Sequence, residues 1–273
     1  MDYIVTDTSL SAVADAIRTK GGTSASLAFP SGFVSAINSI ETGGGGISAD
    51  DIAMRTISGV ISGSATKIGI YAFAYCSNLT IASFPQVNTI RDYAFCGCSN
   101  LTTISFPQVS IIGSYAFAYC SNLTTISFPQ VSTIKNNAFY DCSNLTIVSF
   151  PQAISIGSNA FGNCPSLATA IFNNTSTTQG TIYTYAFRSC YHLTSMYLLA
   201  STLYRLSASS TTFQSTPISN YTTSTGGVYG SIFVPESLYS AYISSKNWSY
   251  FSSRFVSLTD AQISKILTSG THL

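Results

Sequence analysis

Hydrophobic and polar positions along the middle of the chain follow a pattern that repeats with a short, constant period. The pattern is clearest between Leu101 and Asn122, and it starts again at Leu123. Its most regular feature is an Ala-Phe pair whose phenylalanine number rises by 22 from copy to copy (95 minus 73), with a last step of 26 (187 minus 161): Phe73, Phe95, Phe117, Phe139, Phe161 and Phe187. A fixed period of this length predicts a solenoid in which each copy forms one turn.

One copy contains too few hydrophobic side chains to fold alone. Burying a large apolar side chain contributes roughly 1.5–3 kcal/mol, whereas ordering the backbone costs about 1–2 kcal/mol per residue. The apolar positions of one copy are Leu101, Ile104, Phe106, Val109, Ile112, Ala116, Phe117 and Cys120. We therefore expect the copies to stack, so that each hydrophobic layer is closed by its neighbours.

The spacing Leu-x-x-Ile-x-Phe, followed by Pro, Ile, Ala-Phe and Cys, resembles the repeat unit of the BspA-like leucine-rich repeat family. This resemblance covers about residues 55–200 and implies α/β repeats in a right-handed leucine-rich-repeat-type solenoid, with a parallel β-sheet along one face. It implies no particular chemistry, because one fold hosts many functions. The expected strand starts are Ile57, Leu79, Leu101, Leu123, Leu145, Leu167 and Leu193.

The period predicts a division of the chain into five segments. We expect residues 232–234 to add a last strand to the sheet, Pro235 to start a helix, and Trp248 to cover the final layer. Four additional residues within 172–180 should bulge from the penultimate turn. The predicted segments are a helical attachment module at 1–40, a Gly-rich linker at 41–50, the solenoid at 51–200, a C-terminal cap at 201–258 and a tail helix at 259–273.

The N-terminal module is predicted to be a pair of short amphipathic helices. This segment resembles an N-terminal region of tail-associated proteins from phages and prophages of gut bacteria, and the Gly-rich linker would tether it flexibly to the solenoid. The resemblance implies a role in attachment to other virion proteins. The apolar residues expected to serve that role are Leu10, Val13, Ile17, Phe33, Ile37 and Ile40.

Charge and hydropathy argue against two classes of partner. Charged residues make up 8% of the chain and the net charge is +1, with no Lys/Arg cluster to neutralise phosphates, so we expect no nucleic-acid partner. Membrane insertion is not expected either, because the apolar runs are shorter than the ~20 residues of a spanning helix. The N-terminus shows no secretory signal pattern, which would fit release in a phage particle or a removed leader.

The cysteines are expected to be buried free thiols. Neighbours in one column of the repeat would lie one strand spacing apart, about 4.8 Å, with parallel Cβ directions that do not suit a disulfide. Cys96 lies off the column, and its pairing with Cys98 without a nearby histidine is a weak metal signal. The column cysteines are Cys76, Cys98, Cys120, Cys142, Cys164 and Cys190.

The sequence contains no recognisable catalytic arrangement. His192 replaces an asparagine found in other copies, and neither it nor His272 has a plausible partner. A Gly-x-Ser-x-Gly motif, a phosphate loop and a His-Glu-x-x-His motif are absent. We therefore predict that the protein is not an enzyme and needs no cofactor and no metal.

Two sets of residues are candidates for ligand binding. Tyrosines lie just before and just after the Ala-Phe pair, where their rigid amphipathic rings could contact sugars. Hydroxyl side chains form columns on the strands and could contact a glycan. The alternatives are turn-to-turn packing for the tyrosines and solubility for the hydroxyls. The candidates are Tyr71, Tyr75, Tyr93, Tyr115, Tyr119, Tyr185, Thr103, Thr125, Ser105 and Ser127.

These features lead to one functional hypothesis and two alternatives. The first is a non-catalytic phage tail or tail-tip protein, located in the virion, that displays the solenoid to a host-surface protein or glycan. The second is a BspA-like adhesin on the bacterial cell surface, and the third is a structural spacer. The ligand, the host and the oligomeric state, including a homo-oligomer, stay open.

Overall fold

The structure, a computed structural model, describes residues 59–219 and 228–269. Within these residues, seven turns each add one strand to a first sheet and a two-residue strand to a second sheet, and two more strands extend the first sheet. The chain is therefore a parallel β-solenoid, as the period predicts. The predicted N-terminal module and linker lie outside the described residues, together with the candidate attachment residues Leu10, Val13, Ile17, Phe33, Ile37 and Ile40.

The first sheet is parallel and is hydrogen-bonded in two blocks. One block has the order β1-β3-β5 and the other β7-β9-β11-β13-β15-β16, so the ladder is interrupted between β5 and β7. The strands of this sheet are β1 (Gly59–Ser62), β3 (Leu79–Ser83), β5 (Thr103–Ser105), β7 (Thr125–Ser127), β9 (Ile147–Phe150), β11 (Thr169–Phe172), β13 (Ser195–Leu198), β15 (Ser231–Pro235) and β16 (Phe255–Leu258).

The second sheet was not predicted from the sequence. Its strands are two residues long, which is too short to show the alternation by which strands are recognised. The hydrogen-bonded order β2-β4-β6-β8-β10-β12-β14 is unbroken. The strands are β2 (Lys67–Ile68), β4 (Thr89–Ile90), β6 (Ile111–Ile112), β8 (Thr133–Ile134), β10 (Ser155–Ile156), β12 (Thr181–Ile182) and β14 (Arg205–Leu206).

The expectation of α/β repeats is wrong for the described residues, because helices occur there only after residue 200. The repeat turns return the chain through tight turns, since so short a period leaves little room for a helix between two strands. The helices are α1 (Ser209–Thr212), α2 (Glu236–Ser244) and α3 (Asp260–Ser269), with 3-10 helices at Pro217–Ser219 and Ser249–Arg254.

Two columns of phenylalanine fill the space between the sheets. Neighbouring rings of the Ala-Phe column stack with centroids 5.1–5.4 Å apart and planes within 17° of parallel. The second column, from Phe84 to Phe172, stacks at 5.7–6.3 Å. These rings are almost fully buried, and stacked aromatic pairs stabilise by about 0.5–1.5 kcal/mol beyond the area they bury. Each turn therefore depends on its neighbours for a closed core.

The buried cysteines predicted from the sequence are confirmed, and all seven are free thiols. In five successive turns, the column cysteine donates its S–H to the backbone oxygen of the Ala-Phe phenylalanine of the preceding turn, at 3.0–3.2 Å. A small side chain with a weak donor suits a site that must be apolar and still reach a carbonyl. The five donors are Cys98, Cys120, Cys142, Cys164 and Cys190.

The C-terminal residues continue the stack in a different way. The strand expected at 232–234 forms part of β15, but it is not the last strand, because β16 pairs with it on the other side. The helix after it begins at Glu236, one residue later than expected, and Pro235 ends the strand. Trp248 is buried, and its indole N–H donates to the backbone oxygen of Tyr204 at 2.6 Å. The predicted segment boundaries and the role of this region as a cap stay predictions.

The thiols should be chemically silent in the folded protein. Burial raises the pKa of Cys98, Cys120, Cys142 and Cys190, and only the thiolate reacts with alkylating agents. We expect iodoacetamide to modify none of the seven cysteines at pH 7.5, and all of them in guanidinium, as counted by intact-mass spectrometry. Rapid modification of any column cysteine in the native protein would contradict the buried column.

Stability should also fall at alkaline pH. A thiol of the unfolded chain has a pKa near the ordinary value of 9.0, whereas the folded protein keeps these thiols protonated. Their contribution to the free energy of unfolding is therefore fully present below pH 9 and is lost as the pH rises above it. Urea unfolding between pH 7 and 10 should show a loss of about 1.4 kcal/mol per pH unit for each such thiol above pH 9. Cys120→Ala should make this slope shallower by the contribution of one thiol, about 1.4 kcal/mol per pH unit. A free energy of unfolding that is the same at pH 7 and pH 10 would contradict the prediction.

Candidate functional site

The candidate tyrosines occupy two columns in which the backbone is left-handed. Every non-glycine residue of these columns has φ between +53° and +62°. The first column contains Tyr71, Tyr93, Tyr115, Asn137, Asn159 and Tyr185, and the second contains Tyr75, Gly97, Tyr119, Asp141, Asn163 and Ser189. Sequence comparison between the copies detects the variation at these positions but not the positive φ that they share.

The left-handed backbone explains only part of the composition of the two columns. Glycine, asparagine and aspartate tolerate this conformation well, so Gly97, Asn137 and Asp141 suit the backbone. For other L-residues it costs roughly 1–2 kcal/mol. Six tyrosines therefore lie at positions that their backbone preference disfavours, and ring contacts must offset the strain.

In the first column, tyrosine rings stack along the solenoid. The ring centroids of Tyr71 and Tyr93 are 4.7 Å apart, and those of Tyr93 and Tyr115 are 4.9 Å apart with planes 3° from parallel. The three rings pack over a small buried cluster of Ala74, Cys96 and Ala118. This position explains Cys96 as a small side chain beneath a ring and not as part of a metal site.

Tyrosines of the second column and Tyr140 extend this surface. A Cβ built on Gly97 would lie 2.5 Å from the Tyr75 ring, so a larger residue there would displace the ring from its present position. Tyr140 packs against the same small cluster, next to Asn137 in the first column, and its ring lies 5.9 Å from that of Tyr119, edge to face. We call this surface the tyrosine band, which comprises Tyr71, Tyr75, Tyr93, Tyr115, Tyr119 and Tyr140.

The band presents neutral, partly exposed rings. Tyr75 is 55% exposed and Tyr119 is 43% exposed, whereas the other rings are half-buried. Partial burial, followed by the neighbouring tyrosines, raises the pKa of Tyr93 and Tyr119 above its ordinary value, which keeps the hydroxyls protonated. Tyr185 lies apart from the band and carries the Arg188 guanidinium 5.4 Å from its ring centroid.

The candidate hydroxyl side chains lie on the outer face of the first sheet, a different surface. Thr103, Ser105, Thr125 and Ser127 are exposed, and in the described part of the chain their hydroxyls make no hydrogen bond to protein. The sheet ladder is interrupted between their two strands, β5 and β7. The hydroxyl columns expected from the sequence therefore lack a continuous backbone ladder at this point.

A neighbouring threonine column serves the backbone instead. The Thr80, Thr102 and Thr146 hydroxyls each donate to a backbone oxygen of the preceding turn, at 2.8–3.1 Å. The backbone oxygens of Thr80 and Thr124 also accept the backbone N–H of Thr102 and Thr146, so these hydroxyls add a second hydrogen bond to carbonyls that are already paired. The structure does not bring the hydroxyl surface and the tyrosine band together, since the band follows the second sheet in each turn.

The described residues contain no group of three or more His, Cys, Asp or Glu side chains placed to hold a metal ion. The imidazole Nδ1 of His192 lies 2.7 Å from the backbone oxygen of Pro165, a contact to the preceding turn. Among the same residues, no helix has the length and apolar character needed to cross a membrane.

The repeat turns match a known protein family. A model described as the BspA type leucine rich repeat region matches in six copies, over residues 66–194 and 110–230. The chain belongs to this BspA-type leucine-rich repeat family. The matched residues cover more than half of the chain but begin at residue 66, so they give no support to the resemblance of residues 1–40 to phage tail-associated proteins. A virion location is likewise not supported.

Solved structures of bacterial leucine-rich repeat proteins resemble this member of the family. A T. pallidum leucine-rich repeat protein is 26% identical, with a TM-score of 0.50, over 54% of this chain and 72% of that one. Proteins from Eubacterium ventriosum and Bacteroides ovatus are 24% and 22% identical, with TM-scores of 0.45 and 0.42 over 58% and 57% of this chain. The matched part spans 42% and 47% of those two proteins. No curated protein is recognisably similar in sequence.

Comparing the stability of an alanine and a glycine variant should test the left-handed column, because glycine is expected to be the more stable of the two only where φ is positive. Both Tyr93→Ala and Tyr93→Gly remove one ring and its two stacking contacts, each of which contributes about 0.5–1.5 kcal/mol. Glycine also relieves the backbone strain. We expect Tyr93→Gly to be more stable than Tyr93→Ala by about 1 kcal/mol in urea unfolding.

Tyr140 is the matched control, because it belongs to the same band but has no positive φ. There, alanine should be at least as stable as glycine, the order found where the backbone is ordinary. If Tyr93→Ala proved more stable than Tyr93→Gly, the strain assigned to this column would be absent.

Proposed function

We propose that the chain is a non-catalytic adhesion protein of the BspA type that contacts a host-surface protein or a glycan through the tyrosine band. The observation that carries this proposal is the presence of stacked tyrosines at left-handed positions. Asparagine, which the same columns also contain, would suit that backbone without strain. Strained residues held by surrounding structure are concentrated at functional sites.

The geometry of the band supports recognition of an extended ligand. Rings held by their neighbours lose little conformational freedom on binding, which favours affinity. Tyrosine combines a large apolar face with a hydroxyl that can exchange hydrogen bonds, and it is enriched at interaction hot spots. Turn spacing places successive rings about 4.7–4.9 Å apart, so a repetitive polymer or a flat protein surface could contact several rings together.

A location on the bacterial cell surface is part of this proposal. Membership of the BspA-type family supports it, and the low charged fraction fits a surface that adheres through aromatic and hydroxyl groups. A purely structural spacer is the competing proposal, because the stacked contacts of Tyr93 on both sides also stabilise the solenoid.

Removing the two most exposed rings of the tyrosine band should separate adhesion from a spacer role. We expect the double variant Tyr75→Asn with Tyr119→Asn to fold, because Asp141 and Asn163 already occupy this column. Its binding to cultured epithelial cells or to a glycan array should be at least about tenfold weaker than that of the unmodified full chain.

Tyr250→Asn is the matched control, since Tyr250 is 65% exposed and lies in the 3-10 helix Ser249–Arg254, outside the band. Ser105→Ala with Ser127→Ala tests the hydroxyl surface. If the unmodified chain binds neither cells nor glycans above background, the spacer gains support. If binding is lost only in the serine variant, adhesion stands but the band is the wrong surface.

A further inference from the structure

A groove of about 330 Å³ lies on the outer side of the second sheet, around β8 and β10. None of the binding candidates named from the sequence lines it. It adjoins the two turns at which the first tyrosine column is interrupted, because lining residues Asn136 and Ser158 precede Asn137 and Asn159. The groove is therefore a separate feature of the solenoid.

An alternation of side-chain size opens the groove. The residue that directly follows each second-sheet strand is alternately large and glycine in five successive turns: Arg91, Gly113, Lys135, Gly157 and Tyr183. An ion pair joins the two turns on either side of Gly113. Lys135 Nζ, in the following turn, lies 3.5 Å from Asp92 Oδ1, in the preceding turn. Within the described residues, no ion pair crosses the turn of Gly157, so a gap remains between Lys135 and Tyr183.

Gly157 forms the floor of this gap because no larger residue fits. A Cβ built there would lie 2.6 Å from the carbonyl carbon of Lys135 and 2.7 Å from the backbone nitrogen of Asn136. Contacts this short do not occur for real side chains, so the close packing of the two turns requires glycine. The floor of the groove therefore follows from backbone packing.

Unused polar groups line the floor. Thr133 and Ser155 are paired in register across β8 and β10, about 4.8 Å apart. Their hydroxyls make no hydrogen bond to protein in the part of the chain that the structure describes. Asn136 Oδ1 accepts the backbone N–H of Ser158 at 2.9 Å, which orients its amide and leaves the NH2 group as a donor. The groove thus offers two hydroxyls and one fixed amide donor.

The walls suit a flat ring with an apolar face and a polar edge. Tyr183 is 44% exposed and supplies an aromatic face, and the Lys135 side chain supplies an aliphatic stem on the other side. The two residues are two turns apart, about 9.5 Å between backbones, which is room for one pyranose ring. Asp92 balances the charge of Lys135, so the groove favours a neutral ligand over an anion.

We propose that this groove binds one neutral pyranose unit of a glycan. The C–H face of the sugar packs on the electron-rich face of Tyr183, while its hydroxyls bond to Thr133, Ser155 and the amide of Asn136. A small site with a few converging polar groups and an aromatic wall has the ordinary composition of a ligand pocket. Adhesion through the tyrosine band is not required for this binding.

The test is an amide NMR titration of the full chain with the methyl glycosides of glucose, galactose, mannose and N-acetylglucosamine. For at least one glycoside, we expect shifts at the amides of Gly157 and Ser158, with a Kd of about 1–10 mM. Tyr183→Ala should weaken this binding about tenfold, and Tyr183→Phe should retain it. Tyr250→Ala, which removes an exposed ring far along the chain, should leave the titration unchanged.

Several outcomes would overturn the proposal. It fails if no glycoside shifts these amides, or if Tyr183→Ala binds as well as the unmodified protein. It also fails if methyl glucuronide or inorganic phosphate binds more tightly and salt abolishes that binding, because Lys135 would then mark an anion site. Shifts confined to the tyrosine band would overturn the groove and leave the proposed adhesive function in place.

Discussion

Turn-to-turn contact is the constraint on which this structure depends. Each turn places the same residue types at the same height, so a strand meets a strand, a phenylalanine meets a phenylalanine and a thiol meets a carbonyl of the turn before it. No turn has a closed core alone, so the contacts that stabilise the fold lie mainly at the interfaces between turns. The interruption between β5 and β7 shows that the ladder of one sheet can open while the second sheet and the phenylalanine columns continue.

The same constraint gives the surface its character. A side chain at a given position has a copy of itself about 4.8 Å away, so charges would repel along a column and rings stack along it. With charged residues at 8% of the chain, tyrosine and hydroxyl side chains form much of the outside. Where a column departs from uniformity, as at Asn137 or Gly157, the departure produces a local feature such as an interrupted ring stack or a groove.

The two left-handed columns connect backbone geometry to function. They allow the chain to reverse within one short turn of the solenoid without a helix, and they accept glycine, asparagine and aspartate readily. Tyrosine at these positions is held by its neighbours and by small residues beneath it, such as Ala74 and Cys96. The rings are therefore held in place by their neighbours, which is the property that the proposed adhesive surface requires.

The sequence alone determined the period, the solenoid and the identity of the buried columns, because the regular spacing of Leu, Phe and Cys directly indicates a repeated burial pattern. It also identified Tyr71, Tyr93 and Tyr115 as one column. Only the tertiary structure showed the second sheet, the sign of φ at Tyr93, the ring over Gly97 and the gap above Gly157. These features depend on what the neighbouring turn places opposite a residue, and a spacing rule carries no information about distances between turns.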